Sequence, residues 1–167
     1  YLDPKPNENF IDCTIGEGGH TLAILEKNGL KGKVLGIEWD PELCKKLEKE
    51  CLTWNVKQGL ILVNDSFANL KEIVERKNFK DVSGILFDLG LSSWHLEESK
   101  KGFSFSRDEP LIMRYDGDTT KLTAGKIVNE WPEGEIEKIL REYGEEKFAR
   151  RISKEIFKAR ERNKIKS

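Results

Sequence analysis

Residues 10–20 read Phe10-Ile11-Asp12-Cys13-Thr14-Ile15-Gly16-Glu17-Gly18-Gly19-His20. A short apolar run ends in a carboxylate, crosses a glycine-rich turn and enters an amphipathic pattern. Glycine at such a turn lets a ligand approach bare backbone, and the free N–H groups of the following helix start point at that ligand. Twenty-two residues after Gly16, the run Val34-Leu35-Gly36-Ile37 ends in Glu38. A glycine loop followed about 20 residues later by a strand-end acid is the layout of a nucleoside-binding α/β unit. An ordinary strand-to-helix turn is the competing reading. Glu38 in that place can accept two ribose hydroxyl hydrogen bonds, and its charge repels a 2′-phosphate.

Two more apolar runs end in polar groups: Asn64-Asp65-Ser66-Phe67 after one, Asp88-Leu89-Gly90 after the other. Ligands in open α/β sheets bind at the carboxyl ends of strands, so these groups are expected to converge. Phe67 is placed to pack on an adenine face, with Asp65 or a nearby backbone N–H reading the base edge; a core aromatic is its alternative. Gly18, Gly19 and His20 offer close approach for the rest of the ligand, unless His20 is simply an exposed helix-start residue. A dinucleotide loop wants G-x-G-x-x-G, whereas Gly16-x-Gly18-Gly19 is followed here by His20. That spacing disfavours NAD. S-adenosylmethionine fits better, because its methionine tail needs room and hydrogen bonds rather than a pyrophosphate cradle.

The elements that must position these groups follow from the pattern. Apolar runs at 9–14, 33–38, 60–64 and 84–89 alternate with helical periodicity at 19–28, 41–51 and 68–76. Continuous apolar strands separated by helices predict an α/β fold, a parallel sheet covered by helices on both faces. Residues 90–121 then lose all periodicity while keeping Trp94, Phe103, Phe105 and Tyr115, and such a long loop with aromatics is usually functional. Helical patterns resume at 124–130, 133–143 and 145–162, with Gly144 expected to cap the second of these. The expected organisation is a nucleoside-binding core with its active-site loop over 1–121 and a helical segment over 122–167. Strands on only one side of a doubly wound sheet predict a chain lacking later strands, with a compact natural variant as the alternative.

Composition excludes several classes. Twenty-nine basic residues against 30 acidic leave a net charge of −1, so bulk charge implies no partner. Three cysteines without a C-x-x-C and only two histidines argue against a zinc site and for free thiols in a reducing compartment; no metal is expected. The absence of a leader pattern or an 18-residue apolar run predicts a soluble, cytoplasmic protein. Charge is local instead: from Lys147 to Lys166 there are nine basic residues and two acidic ones. Lys147, Arg150, Arg151, Lys154 and Lys158 recur at helical spacing, as an RNA-facing surface would require, or as a solvated face. Phe148, Ile152 and Ile156 mark an expected packed stripe opposite. Trp94, Phe103 and Arg107 are the candidates for RNA contact from the long loop, unless they plug its core.

Four ordered motifs carry a resemblance. They are Asp12-x-Thr14-x-Gly16-x-Gly18-Gly19-His20, Gly84-Ile85-Leu86-Phe87-Asp88-Leu89-Gly90-x-Ser92-Ser93, the run from Gly102 to Arg114, and Tyr143-Gly144-Glu145-Glu146-x-Phe148-Ala149-x-Arg151-Ile152. The chain resembles the bacterial ribosomal RNA small subunit methyltransferase H family from about residue 2 to about residue 163. The resemblance implies a Rossmann-like methyltransferase fold, S-adenosylmethionine as cofactor, and methylation of the N4 amino group of a cytidine in 16S rRNA of the small ribosomal subunit. It places Gly18, Gly19 and His20 on the cofactor loop and makes Phe67 and Asp88 further cofactor contacts. Glu38 stands where the family usually has aspartate, and His95 where it usually has glutamine. Glu109, Ile112 and Tyr115 also depart from the family loop. A later family strand ending Ser-Phe-His-Ser and an inserted helical domain have no counterpart.

A cytosine amino group is a poor nucleophile, so an acceptor on its N–H is needed. Asp88 is the expected catalytic group, unless it only holds the cofactor, and Ser92 and Ser93 stand behind it, unless they are simply turn residues. The target base would be turned out of its RNA structure to reach the pocket. A non-catalytic RNA-binding or assembly module with the same fold is the alternative, followed by a nicotinamide-dependent oxidoreductase.

Overall fold

The computed structural model describes residues 2–29, 31–54 and 59–167. The chain forms two compact units, Tyr1–Trp94 and His95–Ser167. The 90–121 loop, expected with the nucleoside-binding core, thus falls almost wholly in the second unit.

The first unit holds β1 (Asn9–Asp12), α1 (Gly19–Asn28), β2 (Val34–Glu38), α2 (Pro41–Glu50), β3 (Leu60–Asn64), a 3-10 turn (Phe67–Asn69), α3 (Leu70–Lys77) and β4 (Val82–Leu86). The four strands are parallel in the order β3-β2-β1-β4. Successive residues of a strand point to opposite faces, and the two cores follow that rule. Phe10 and Val34 pack with Ile24 and Leu25 of α1. Ile11, Leu35, Ile37 and Val63 pack with Ile73 of α3 and Phe79. α2 starts where its sequence says it must: Pro41 is the first residue, and the Asp40 carboxylate accepts from the Glu42 and Leu43 N–H groups at 2.9 and 3.4 Å.

Coverage is uneven. All five residues of β2 are buried, whereas Val82 and Ile85 of β4 are 38% and 45% exposed. The expectation of a sheet covered throughout holds at its centre and lapses at β4, an edge strand. β4 also ends at Leu86, earlier than the expected 89, so Phe87, Asp88 and Leu89 leave the strand alternation.

The division between units falls within the five-residue helix α4 (Ser93–Glu97), a turn that the aperiodic sequence did not announce. The second unit continues with α5 (Ala124–Glu130), α6 (Glu133–Glu142) and α7 (Ala149–Arg162). Its long loop has no period because its ties are made one by one. Lys101 Nζ donates to the Tyr115 carbonyl at 3.1 Å, Gly102 N–H to Glu109 at 3.0 Å, and Gly125 N–H to the Leu111 carbonyl at 2.7 Å. Arg114 grips Asp116 through two bonds of 2.8 and 2.6 Å.

α7 begins at Ala149, later than the expected 145. The left-handed residue at the end of α6 is Glu145 (φ 49°), not Gly144. Gly144 serves close approach instead, since a Cβ there would stand 2.8 Å from the Leu140 carbonyl oxygen. The packed stripe also differs from expectation. Ala149 and Ser153 are buried, while Phe148 is 66% exposed and lines, with Ile152, Ile156 and Ile165, an apolar groove. Arg160 is not a solvated cation: its guanidinium stacks on Phe157 at 4.4 Å and donates to the Val128 and Trp131 carbonyls at 3.1 and 2.6 Å, tying down the end of α5.

Candidate functional site

At the carboxyl end of the sheet the first unit gathers its chemistry. Asp12 closes β1 and is wholly buried. Its carboxylate accepts from the Thr21 hydroxyl at 2.7 Å and the Thr14 N–H at 3.2 Å. Burial pushes its pKa up, only partly offset by those two bonds and by His20, while Asp88 adds to the rise. Thr14 passes the support on, because its hydroxyl accepts from the Asp88 N–H at 2.7 Å. Asp88 is exposed and lies 3.3 Å from His20 Nε2. The chain of contacts Thr21–Asp12–Thr14–Asp88–His20 therefore links the ends of β1 and β4 with the start of α1.

Glu38, the last residue of β2, is buried. One carboxylate oxygen accepts from the Gly16 N–H at 3.2 Å and the other from the Asp40 N–H at 2.8 Å. A carboxylate has about four lone-pair sites, so both oxygens keep capacity for hydroxyl donors. Gly18 precedes α1 in the left-handed region (φ 85°), and a Cβ there would stand 2.6 Å from the Trp54 ring. The bare backbone of Gly18 thus admits Trp54, a residue without any motif to announce it, while Gly19 faces open space.

After β3, the polar groups are occupied structurally. Asn64 Nδ2 donates to the Glu38 and Trp39 carbonyls at 2.7 and 3.2 Å. Asp65 accepts from Ser66 N–H, Asn69 and Arg76. Burial raises its pKa, but those bonds together outweigh it and leave the carboxyl below its usual range. Asp65 is therefore engaged in local structure. Phe67 is exposed and meets Phe87 edge to face, with centroids 5.6 Å apart.

The thiols take no part. Burial pushes both Cys13 and Cys44 up to about 11, which keeps them protonated and inert, and all three cysteines are free. No helix among the described residues is long and apolar enough to cross a membrane.

The family model of the MraW methylases matches residues 1–167. The chain belongs to the MraW methylase family. A relative named ribosomal RNA small subunit methyltransferase H, from Caldicellulosiruptor saccharolyticus, is 43% identical over 99% of this chain and 52% of its own length. Proteins of the same name from Clostridium botulinum strain Kyoto and Halothermothrix orenii are 39% and 40% identical, over 99% and 100% of this chain and 52% of each. The chain spans about half the length of the curated relatives it matches. Among solved structures, a SAM-dependent O-methyltransferase from Thermotoga maritima shares 24% identity at a TM-score of 0.39, covering 41% of this chain and 26% of its own, too slight a likeness to add anything.

Within this MraW methylase chain, Gly18, Gly19, His20, Glu38, Phe67 and Asp88 all lie at the carboxyl end of one sheet. His95 belongs to the second unit. It is buried, with Phe103 and Tyr115 packed edge-to-face on its ring at 5.7 and 4.7 Å. The loop residues expected to meet RNA are also engaged: Trp94 is buried, Phe103 tilts against Tyr115 at 5.5 Å, and Arg107 donates to the Glu97 carbonyl. Sequence reasoning missed Thr14, Thr21 and Phe87. The two threonines have a signal, being hydroxyls two and nine residues from a strand-end acid; Phe87 lies in the apolar run 84–89, which reads as strand, whereas β4 ends at Leu86.

Proposed function

We propose that the protein is an S-adenosylmethionine-dependent methyltransferase acting on the N4 amino group of a cytidine in 16S rRNA of the small ribosomal subunit. The observation that carries the cofactor reading is the convergence of Glu38, the open Gly19 backbone, the exposed Phe67 and Asp88 at one end of a parallel sheet. The donor set fits the cofactor: carboxylates and aromatic faces suit a cationic sulfonium nucleoside better than a pyrophosphate. Glu38 would hold the ribose hydroxyls, Phe67 the adenine, and Gly18, Gly19 and His20 the methionine end. His95 enters the reading through the family resemblance alone. Bound there, the cofactor supplies an electrophilic methyl group.

The chain's own residues then orient the nucleophile. Asp88, exposed and with its N–H donating to the Thr14 hydroxyl, would accept a hydrogen bond from the cytosine amino group. His20, 3.3 Å away, steadies the Asp88 carboxylate. The relatives' shared name supports the rRNA substrate, and Arg150, Arg151, Lys154 and Lys158, exposed on α7, suit phosphate contact. The test is transfer of labelled methyl from S-adenosylmethionine to undermethylated small subunits. The reading expects label at cytidine N4 and a rate at least roughly a hundredfold lower for Asp88→Ala. An unlabelled subunit with cofactor still bound would favour the non-catalytic module instead; label with an unchanged Asp88→Ala rate would remove Asp88 from the catalytic role.

A further inference from the structure

Phe67 follows β3 and Phe87 follows β4, and these strands are the two opposite edges of the sheet. Three inter-strand spacings separate them, about 14 Å. Yet the two rings meet at 5.6 Å with their planes 89° apart. Both segments must therefore lean inward beyond the ends of β2 and β1, the strands that carry Glu38 and the glycine loop. The pair is not core: Phe67 and Phe87 keep 39% and 47% of their surface exposed. Two aromatic rings held against each other yet half open to solvent, at the sheet end that also carries Glu38, provide a stacking surface rather than packing.

We infer that Phe87 is a second aromatic wall of a nucleobase pocket, facing the base together with Phe67. The ligand class is a purine nucleoside whose base takes over one ring's edge-to-face contact, while Glu38 receives the ribose. This inference rests on the cofactor reading above and extends it to a residue freed for the purpose by the early end of β4. An aromatic wall contributes through its π face, so an aliphatic side chain of similar bulk does not replace it, whereas another ring does.

The test is calorimetric titration of the 167-residue chain with S-adenosylhomocysteine, for wild type, Phe87→Leu and Phe87→Tyr, with thermal unfolding to confirm that each variant folds. The expected result is Phe87→Leu weaker by roughly tenfold and Phe87→Tyr close to wild type. Transferred NOEs from a Phe87 ring proton to adenine H2 would accompany binding. Wild-type binding with Phe87→Leu within twofold, or tighter, would overturn the role of Phe87 and leave the cofactor reading standing. No binding by folded wild type would overturn both. Should Phe87→Leu fail to fold, the NOE in wild type decides, its absence counting against the wall.

Discussion

Asp12 and Asp116 each hold irregular backbone in place, and they do so in opposite ways. Asp12 is buried at the end of β1, hydrogen-bonded to two neutral donors and to no cation, and burial drives its pKa up. Asp116, in the long loop of the second unit, is held by the Arg114 guanidinium far below the usual carboxylate range, with Lys121 adding to the effect. A carboxylate among neutral donors is an energetic liability that geometry must justify, whereas one clamped by arginine is a staple. The first arrangement fits a site whose neighbouring carboxylate, Asp88, needs a fixed place; the second fits a loop whose backbone needs fastening.

The largest effect should come from emptying the buried position. Asp12→Ala strands the Thr21 hydroxyl and the Thr14 N–H and should cost about 3 kcal/mol in denaturant unfolding. Asp116→Ala removes a partly exposed staple and should cost about 1–2 kcal/mol. Equal costs would erase the contrast.

The pH dependences should run in opposite senses. Folding favours protonated Asp12, so its contribution is complete below the ordinary value of 3.8 and is lost as pH rises through the raised one. Folding favours ionised Asp116, so its contribution is present above 3.8 and is lost as pH falls through the lowered one. The stability gap between wild type and Asp12→Asn should therefore narrow as pH rises from acid to neutral, and the gap for Asp116→Asn should widen. Unfolding curves across that range read both slopes. The smallest effect is expected just before α7, where Phe148→Ser should change stability by no more than about 0.5 kcal/mol because the ring is exposed; a cost of several kcal/mol would restore Phe148 to a packed stripe.

Much of the first unit was legible because its order in sequence is its order in chemistry. Three of the four strands end in a polar group: Asp12, Glu38 and Asn64 are the last residues of β1, β2 and β3. The Asp40–Pro41 pair starts α2 through local rules alone. What escaped depends on contacts distant in sequence. Trp54 reaches Gly18, Thr14 supports Asp88 across 74 positions, and Phe67 meets Phe87 from the far edge of the sheet. In the second unit the failures have another cause. Periodicity marks which residues of a helix share a face, not which face finds a neighbour, so it points to Phe148 as packed where Ala149 and Ser153 are the buried residues. The loop's fastenings, such as Arg114 to Asp116 and Lys101 to Tyr115, use long side chains whose reach no spacing reveals.

Amide hydrogen exchange of the chain with and without S-adenosylhomocysteine tests most directly that the sheet end is the cofactor site. Slower exchange is predicted at residues 16–20, at 38–40 and at 87–89, in one saturable step. Unchanged exchange at those residues while the ligand binds, or protection confined to α5, α6 and α7, would contradict it.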